Sequence, residues 1–184
     1  VWYYEGTETV GSIPSADITD WVLIELRHAA TPAAANSATV LSRAAGFINK
    51  DGSIVGLDGT TKLNLDAITP FTDNLYAVVY QQNHLGIMSN NGVTDANNDG
   101  LFDYNFTTGS GQVYGGTAGY KQLETGVWGM VGGDGTADGN IYTDDFDGVW
   151  TPQFGGEVNY FTADYNLDGN VYTDDIDGVW TPNF

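Results

Sequence analysis

Oxygen-bearing side chains recur at a fixed spacing near the carboxy end of the chain. In "DYNLDGNVYTDD", Asp164, Asn166 and Asp168 fall on the first, third and fifth positions of a loop, with Gly169 sixth, Val171 eighth and Asp175 twelfth. "DGTADGNIYTDD" sets Asp134, Thr136, Asp138, Gly139, Ile141 and Asp145 in the same register. A hard cation of calcium's size takes six to eight oxygens at about 2.3–2.6 Å. Alternate residues of a tightly curled loop can supply them. The glycine permits the turn, and the carbonyl of Asn140 or Asn170 at the seventh position adds one oxygen more. Without a cation the arrangement is costly. Two carboxylates about 5 Å apart repel by roughly 3 kcal/mol at an effective dielectric of 20, and each loop gathers three. The segment is therefore expected to be loose when metal-free and ordered when loaded, so that binding energy becomes folding energy.

A third candidate is "DANNDGLFD", where Asp95, Asn97, Asp99 and Asp103 stand at the first, third, fifth and ninth positions around Gly100. It reads equally as an Asn-Asp-Gly turn joining two strands. Catalysis finds little to work with. His28 and His84 are the only histidines, no nucleophile motif accompanies either, and cysteine is absent. The paired carboxylates that glycoside hydrolysis would need are already assigned to the loops. The chain is expected not to be an enzyme.

Around the loops the chain repeats itself. "DGNIYTDDFDGVWTPQF" from Asp138 and "DGNVYTDDIDGVWTPNF" from Asp168 differ at three positions. Thr143 and Thr173 are read as N-caps of short helices carrying acids in the first turn. Gly148 and Gly178, with Pro152 and Pro182, should stop those helices almost at once. Trp150, Trp180, Tyr142, Tyr172, Phe154 and Phe184 offer either packing between the two copies or a platform on which sugars stack.

The 184 residues carry 24 acids against 5 bases, a net charge of -19, and no Lys or Arg follows Lys121. Such a surface repels nucleic acid and anionic membranes and leaves cations, or a partner presenting them, as counter-charge. Thirteen per cent aromatic content argues for a folded chain and not a disordered acidic one. No apolar run reaches the roughly 18 residues of a membrane span. The absence of cysteine fits an exported protein using metal in place of disulfides, and a start at Val fits a matured product or an excerpt.

The elements that would carry the loops read as strands. "DWVLIELR", "TVLSRAAGFIN" with the "KDGS" turn and "SIVGL" after it, "KLNLDAI", "NLYAVVYQQNHLGIM", "LFDYNFTT" and "YKQLETGVWGMV" are apolar or alternating runs punctuated by Gly, Asn and Asp. The stretch Thr31 to Ala45 is assigned to loop and strand, although its Ala-rich start also has helical composition. Residues 1–130 are thus expected to form an antiparallel β-sandwich, and residues 131–184 a tandem calcium-binding unit with short helical turns. "VWYY" at the start reads as an unpaired aromatic strand able to complete a neighbour's sheet, and "NFT" from Asn105 matches a glycosylation acceptor.

Two loops after the form D-x-N-x-D-G-x-V-x-x-x-D, met throughout by the second and with Thr136 and Ile141 at the third and eighth positions of the first, each opening a short helix, resemble the dockerin module of bacterial extracellular proteins, over Asp134 to Phe184. The resemblance implies two bound Ca2+ ions and an extracellular or cell-surface setting. The expected function is that of a calcium-binding structural protein, a subunit or anchor of a surface assembly or filament. It would associate with itself or with another surface protein. The alternative is a non-catalytic module of a larger secreted enzyme, recognising a cohesin-like partner or a carbohydrate.

Overall fold

The computed structural model describes residues 4–65, 72–97 and 99–184. Five strands form one antiparallel sheet: β1 (Ile18–Ala29), β2 (Val40–Asn49), β3 (Ile54–Val55), β4 (Asn74–Gln81) and β5 (His84–Met88), in the order β3-β2-β1-β4-β5. A separate hairpin joins β6 (Tyr120–Glu124) to β7 (Val127–Met130). The chain is β-rich and antiparallel, as its short apolar runs imply.

Strand β1 is central, and its near-continuous apolar run follows from burial on both faces. Successive side chains of a strand point to opposite sides. Val22 and Ile24 therefore enter one core with Val79, Ile87, Val113 and Tyr120. In β4, Val79 joins that core while its neighbour Val78 packs with Tyr76, Met88 and Ala35 in a second. Glu25, buried in β1, lies opposite Arg43 of β2 and holds both arginines of the chain, Arg27 and Arg43, at 2.6 Å each. A buried carboxylate left unpaired would cost several kcal/mol, on the order of 3–5. The β6–β7 hairpin covers the first core through Tyr120, whose ring stacks on Trp128 at 6.1 Å. Its hydroxyl lies 2.6 Å from the carbonyl of Phe106.

Several local expectations meet the structure differently. The run 74–88 is not one strand. It folds back at Gln82 and Asn83, with Gln81 paired to His84, because the Gln81 side chain accepts the Asn83 N–H at 3.0 Å and closes the turn. "LFDYNFTT" forms only an isolated bridge, Asp103 to Thr94, although Tyr104 and Phe106 do stand side by side with ring centroids 4.8 Å apart. The start of 31–45 is loop with 3-10 turns at Pro32–Ala34 and Ser37–Thr39, followed by β2. The alternation of "KLNLDAI" beyond Leu65, and the first three residues of "VWYY", lie outside the described residues.

Beyond Met130 the chain pairs with the exposed edge of β5. The Leu85 N–H donates to the Val131 carbonyl at 2.8 Å, and His84 bridges to Gly132. An edge strand is thereby covered, and the repeated unit begins directly on the sheet.

Candidate metal centre

Each loop is built by its own carboxylates before any ion is considered. In the first, the two oxygens of Asp134 accept the N–H groups of Asp138 and Gly139 at 3.0 Å each. In the second, Asp164 accepts from Asp168 at 3.0 Å and from Gly169 at 2.8 Å. Asp138 and Asp168 accept from Asn140 and Asn170 at 2.9 Å. The sixth residues, Gly139 and Gly169, have φ of 88° and 90°, a left-handed conformation natural to glycine. Two non-glycine residues, Ala137 and Leu167, share that conformation at the fourth position with φ of 55° and 63°. The strain of holding them there, about 1–2 kcal/mol each, recurs in both copies.

The twelfth residue closes each loop. Asp145 accepts the Thr136 N–H at 2.9 Å and the Tyr142 N–H at 2.8 Å, and Asp175 accepts those of Asn166 at 3.1 Å and Tyr172 at 2.9 Å. Both are 0% exposed, and Asp134 and Asp164 are 3% and 6% exposed. The apolar eighth residues Ile141 and Val171 are buried as the pattern requires. Burial pushes the Asp164 carboxyl up to about 6, against the N–H groups of Gly169 and Asp168, and the charges of Asp175 and Asp168 add to the rise. Asp134 is raised for the same reasons, with Asp145 and Asp138 as the neighbouring charges. The first carboxylate of each loop therefore feels the charges of the fifth and the twelfth. Thr136, Asn166, Asn140 and Asn170 stand where the spacing puts them, with Asn140 and Asn170 contributing loop backbone.

Among the described residues no group of three or more His, Cys, Asp or Glu side chains is arranged to hold a metal ion. The loop oxygens are instead spent on the loop's own N–H groups. The donor set nonetheless fits a hard cation, since every candidate ligand is a carboxylate, amide, hydroxyl or carbonyl oxygen. A cleft of about 540 Å³, lined by Asp164, Asp168, Asn170, Asp20, Gln82 and Tyr160 among others, opens beside the second loop.

The helices after the loops differ from the expectation in cap and length. Tyr172, not Thr173, is the N-cap, with Thr173 the first helical residue, and Thr143 is likewise helical. The closing carboxylate reaches back to the cap N–H, which removes the need for a capping hydroxyl. Nor do Gly148, Gly178, Pro152 and Pro182 end the helices. The helical runs span 143–153 (α1) and 173–183 (α2). Their middles, Asp145–Trp150 and Ile176–Trp180, are π-helical, and their last turns, Thr151–Gln153 and Thr181–Asn183, contain the prolines. A proline ring clashes with the carbonyl four residues back. The widened turn, in which the Thr151 N–H reaches Phe146 and the Thr181 N–H reaches Ile176, makes room for the ring.

The copies interlock. Phe146 of α1 packs on Trp180 of α2 with centroids 5.4 Å apart, and Trp150 donates its indole N–H to the Tyr172 carbonyl at 3.1 Å. Tyr165, second in its loop and fully buried, donates its hydroxyl to the Asp145 carbonyl at 2.9 Å. The equivalent residue of the first loop is Gly135, where a Cβ would lie 2.5 Å from that hydroxyl. The sequence analysis missed this pairing, whose signal is the glycine at the second position of one loop against tyrosine at the second position of the other. Asn83, which touches both loops from the sheet, left no such trace in its polar "QQNH" setting.

The third candidate loop shares half of this construction. Asp95 accepts from Asp99 at 3.0 Å and Gly100 at 2.9 Å, Asp99 accepts from Leu101 at 2.9 Å, and Gly100 has φ of 80°. Asn97 lies within that turn. Asp103, however, pairs with Lys62 at 2.6 Å and its side chain is 74% exposed. Compared with models of protein families, with curated proteins and with solved structures, the chain has no match.

Proposed function

We propose that the chain is a non-catalytic, extracellular calcium-binding structural protein whose tandem loops take one Ca2+ each. One observation carries this reading. Two tandem loops set oxygen-bearing side chains at the same first, third, fifth and twelfth positions, with buried carboxylates at the first and twelfth and the first raised in pKa by burial and by the charges around it. A protein gains nothing by repeating such repulsion unless a cation relieves it. In the first loop Asp134, Thr136, Asp138, Asn140 and Asp145 would hold the ion. Asp164, Asn166, Asp168, Asn170 and Asp175 would do so in the second. The sheet, with the β6–β7 hairpin over it, serves as a sandwich-like scaffold.

The surface role fits the same features. Among the described residues no helix is long and apolar enough to cross a membrane, and the acidic second half favours a calcium-rich setting outside the cell. Assembly into a filament or anchorage to another surface protein is the use we assign to it. A second reading, a module that binds a protein partner or a carbohydrate, draws on the exposed rings of Tyr142, Phe154 and Phe184. Calorimetric titration of calcium into the chelated protein tests the first claim, with two ions per chain expected; no binding at millimolar calcium overturns it. Electron microscopy with and without chelator separates the uses, since polymers support assembly and dispersed monomers favour the binding module.

A further inference from the structure

The two loops meet at a residue that belongs to neither. Asn83, in the turn between β4 and β5, is 0% exposed. Its side-chain amide donates to the Asp164 carbonyl at 2.6 Å, while its own carbonyl accepts the N–H of Asp134 at 3.1 Å and of Gly133 at 2.9 Å. One asparagine thus holds the first residue of both loops. Its orientation is fixed in turn. Its N–H donates to Gln81 Oε1, and His84 Nδ1 lies 2.7 Å from Asn83 Oδ1 and 2.8 Å from Gln81 Oε1. Both neighbours are amide oxygens, so Nδ1 carries the ring hydrogen, and Asn83 must present its NH2 to Asp164. Tyr165 supplies a second link, from the second residue of one loop to the closing residue of the other.

We infer that Asn83 is a positioning residue shared by both metal loops, through which the sheet couples them, so that an ion in one loop tightens the other. This rests on the calcium reading above. The physical basis is that a loop's first carboxylate is useful only when its backbone is placed. An ion that fixes Asp134 also fixes the Asn83 carbonyl, and the turn so ordered passes that placement through the side-chain amide to Asp164. The ordering cost of the shared turn is then met once for two ions. Partners behind metal ligands commonly govern affinity by roughly 10- to 100-fold.

A double-mutant cycle on the full chain tests it, with calcium alone as the probe. Asp138→Ala and Asp168→Ala each disable one loop at an exposed ligand. With Asn83 intact, Asp168→Ala should weaken calcium binding at the first loop by roughly tenfold. In an Asn83→Ala background the same change should leave the first loop unaltered. Equal losses in both backgrounds overturn the coupling while leaving the calcium sites in place. A blank titration of the unmutated chain overturns the calcium reading and the coupling with it. Should Asn83→Ala fail to fold, amide exchange of the Asp168→Ala chain decides. Calcium loading of the first loop should slow exchange at Gly169 and Asn166 severalfold, and unchanged exchange there refutes the inference.

Discussion

The tail loops and the loop at Asp95 begin alike and end differently. All three place an aspartate whose two oxygens take the fifth and sixth N–H groups, and all three turn on a left-handed glycine. That half is local turn chemistry, available to any Asx-rich segment. Only the tail loops have a twelfth carboxylate, and in both it is buried in the first turn of the helix that follows the loop. The twelfth position counted from Asp95 is Phe106, which packs against the first core. A turn of this kind forms from sequence alone, whereas a closed cage needs tertiary structure to bring its last oxygen back.

The closing residue is where this contrast is most breakable. Asp175→Ala, or Asp145→Ala, empties a buried carboxylate position and strands two part-buried N–H groups, and should cost about 3 kcal/mol of unfolding free energy, with one ion fewer bound per chain. Asp103→Ala in the third loop should cost no more than about 0.5 kcal/mol. Chemical denaturation in calcium, paired with calorimetric counting, measures both, and comparable losses would erase the distinction. Next in size is Gly135→Ala. Its Cβ would meet the Tyr165 hydroxyl at 2.5 Å and Val149 at 2.9 Å, so about 2 kcal/mol is expected from overpacking. Gly100→Ala meets nothing within 4 Å and should cost about 1 kcal/mol from its positive φ alone.

How much of this was legible follows the same division. The donors Asp134, Asp138, Asp145, Asp164, Asp168 and Asp175 and the turn glycines could be read because their spacing is local. Strand β1 could be read because burial on both faces leaves an unbroken apolar run. Asn83 could not, since its partners lie about 50 and 80 residues away and its own neighbours are polar. The helix lengths were misjudged because Pro152 and Pro182 break a regular α-helix, and nothing in "DGVWTP" announces a widened turn. Gly148 and Gly178 looked like stop signals when they are interior residues.

Acidity gives a third contrast, smaller than the first two. Asp164 in the folded chain titrates near 6, above the ordinary carboxylate range, and Asp134 and Asp175 are also raised. A folded-state pKa raised above the unfolded value gives stability that is present below the unfolded pKa of about 4 and lost as pH rises through 6. The chelated protein should therefore melt on the order of 4 °C higher near pH 4.5 than at pH 7. Calcium should reverse the order, because protons compete with the ion. Thermal melts at two pH values with and without chelator give the result; a chelated protein that gains stability toward pH 7 would place these carboxylates in water.

The smallest expected effect concerns Lys62, and it probes the comparison from the other side. Its ammonium sits 2.6 Å from Asp103, an exposed pair in which the side chains are 49% and 74% accessible. Exposed pairs of this kind contribute about 0.2–1 kcal/mol, so Lys62→Met should change stability by no more than about 0.5 kcal/mol. If the third loop were a finished site blocked by a resident cation, removing that cation would free Asp103 and raise the calcium count from two to three. The geometry argues otherwise. Asp103 remains on the surface, where water screens it, and Phe106 occupies the position from which the tail loops draw their closing oxygen. The count should stay at two, and a third ion on Lys62→Met would mean that half a loop suffices.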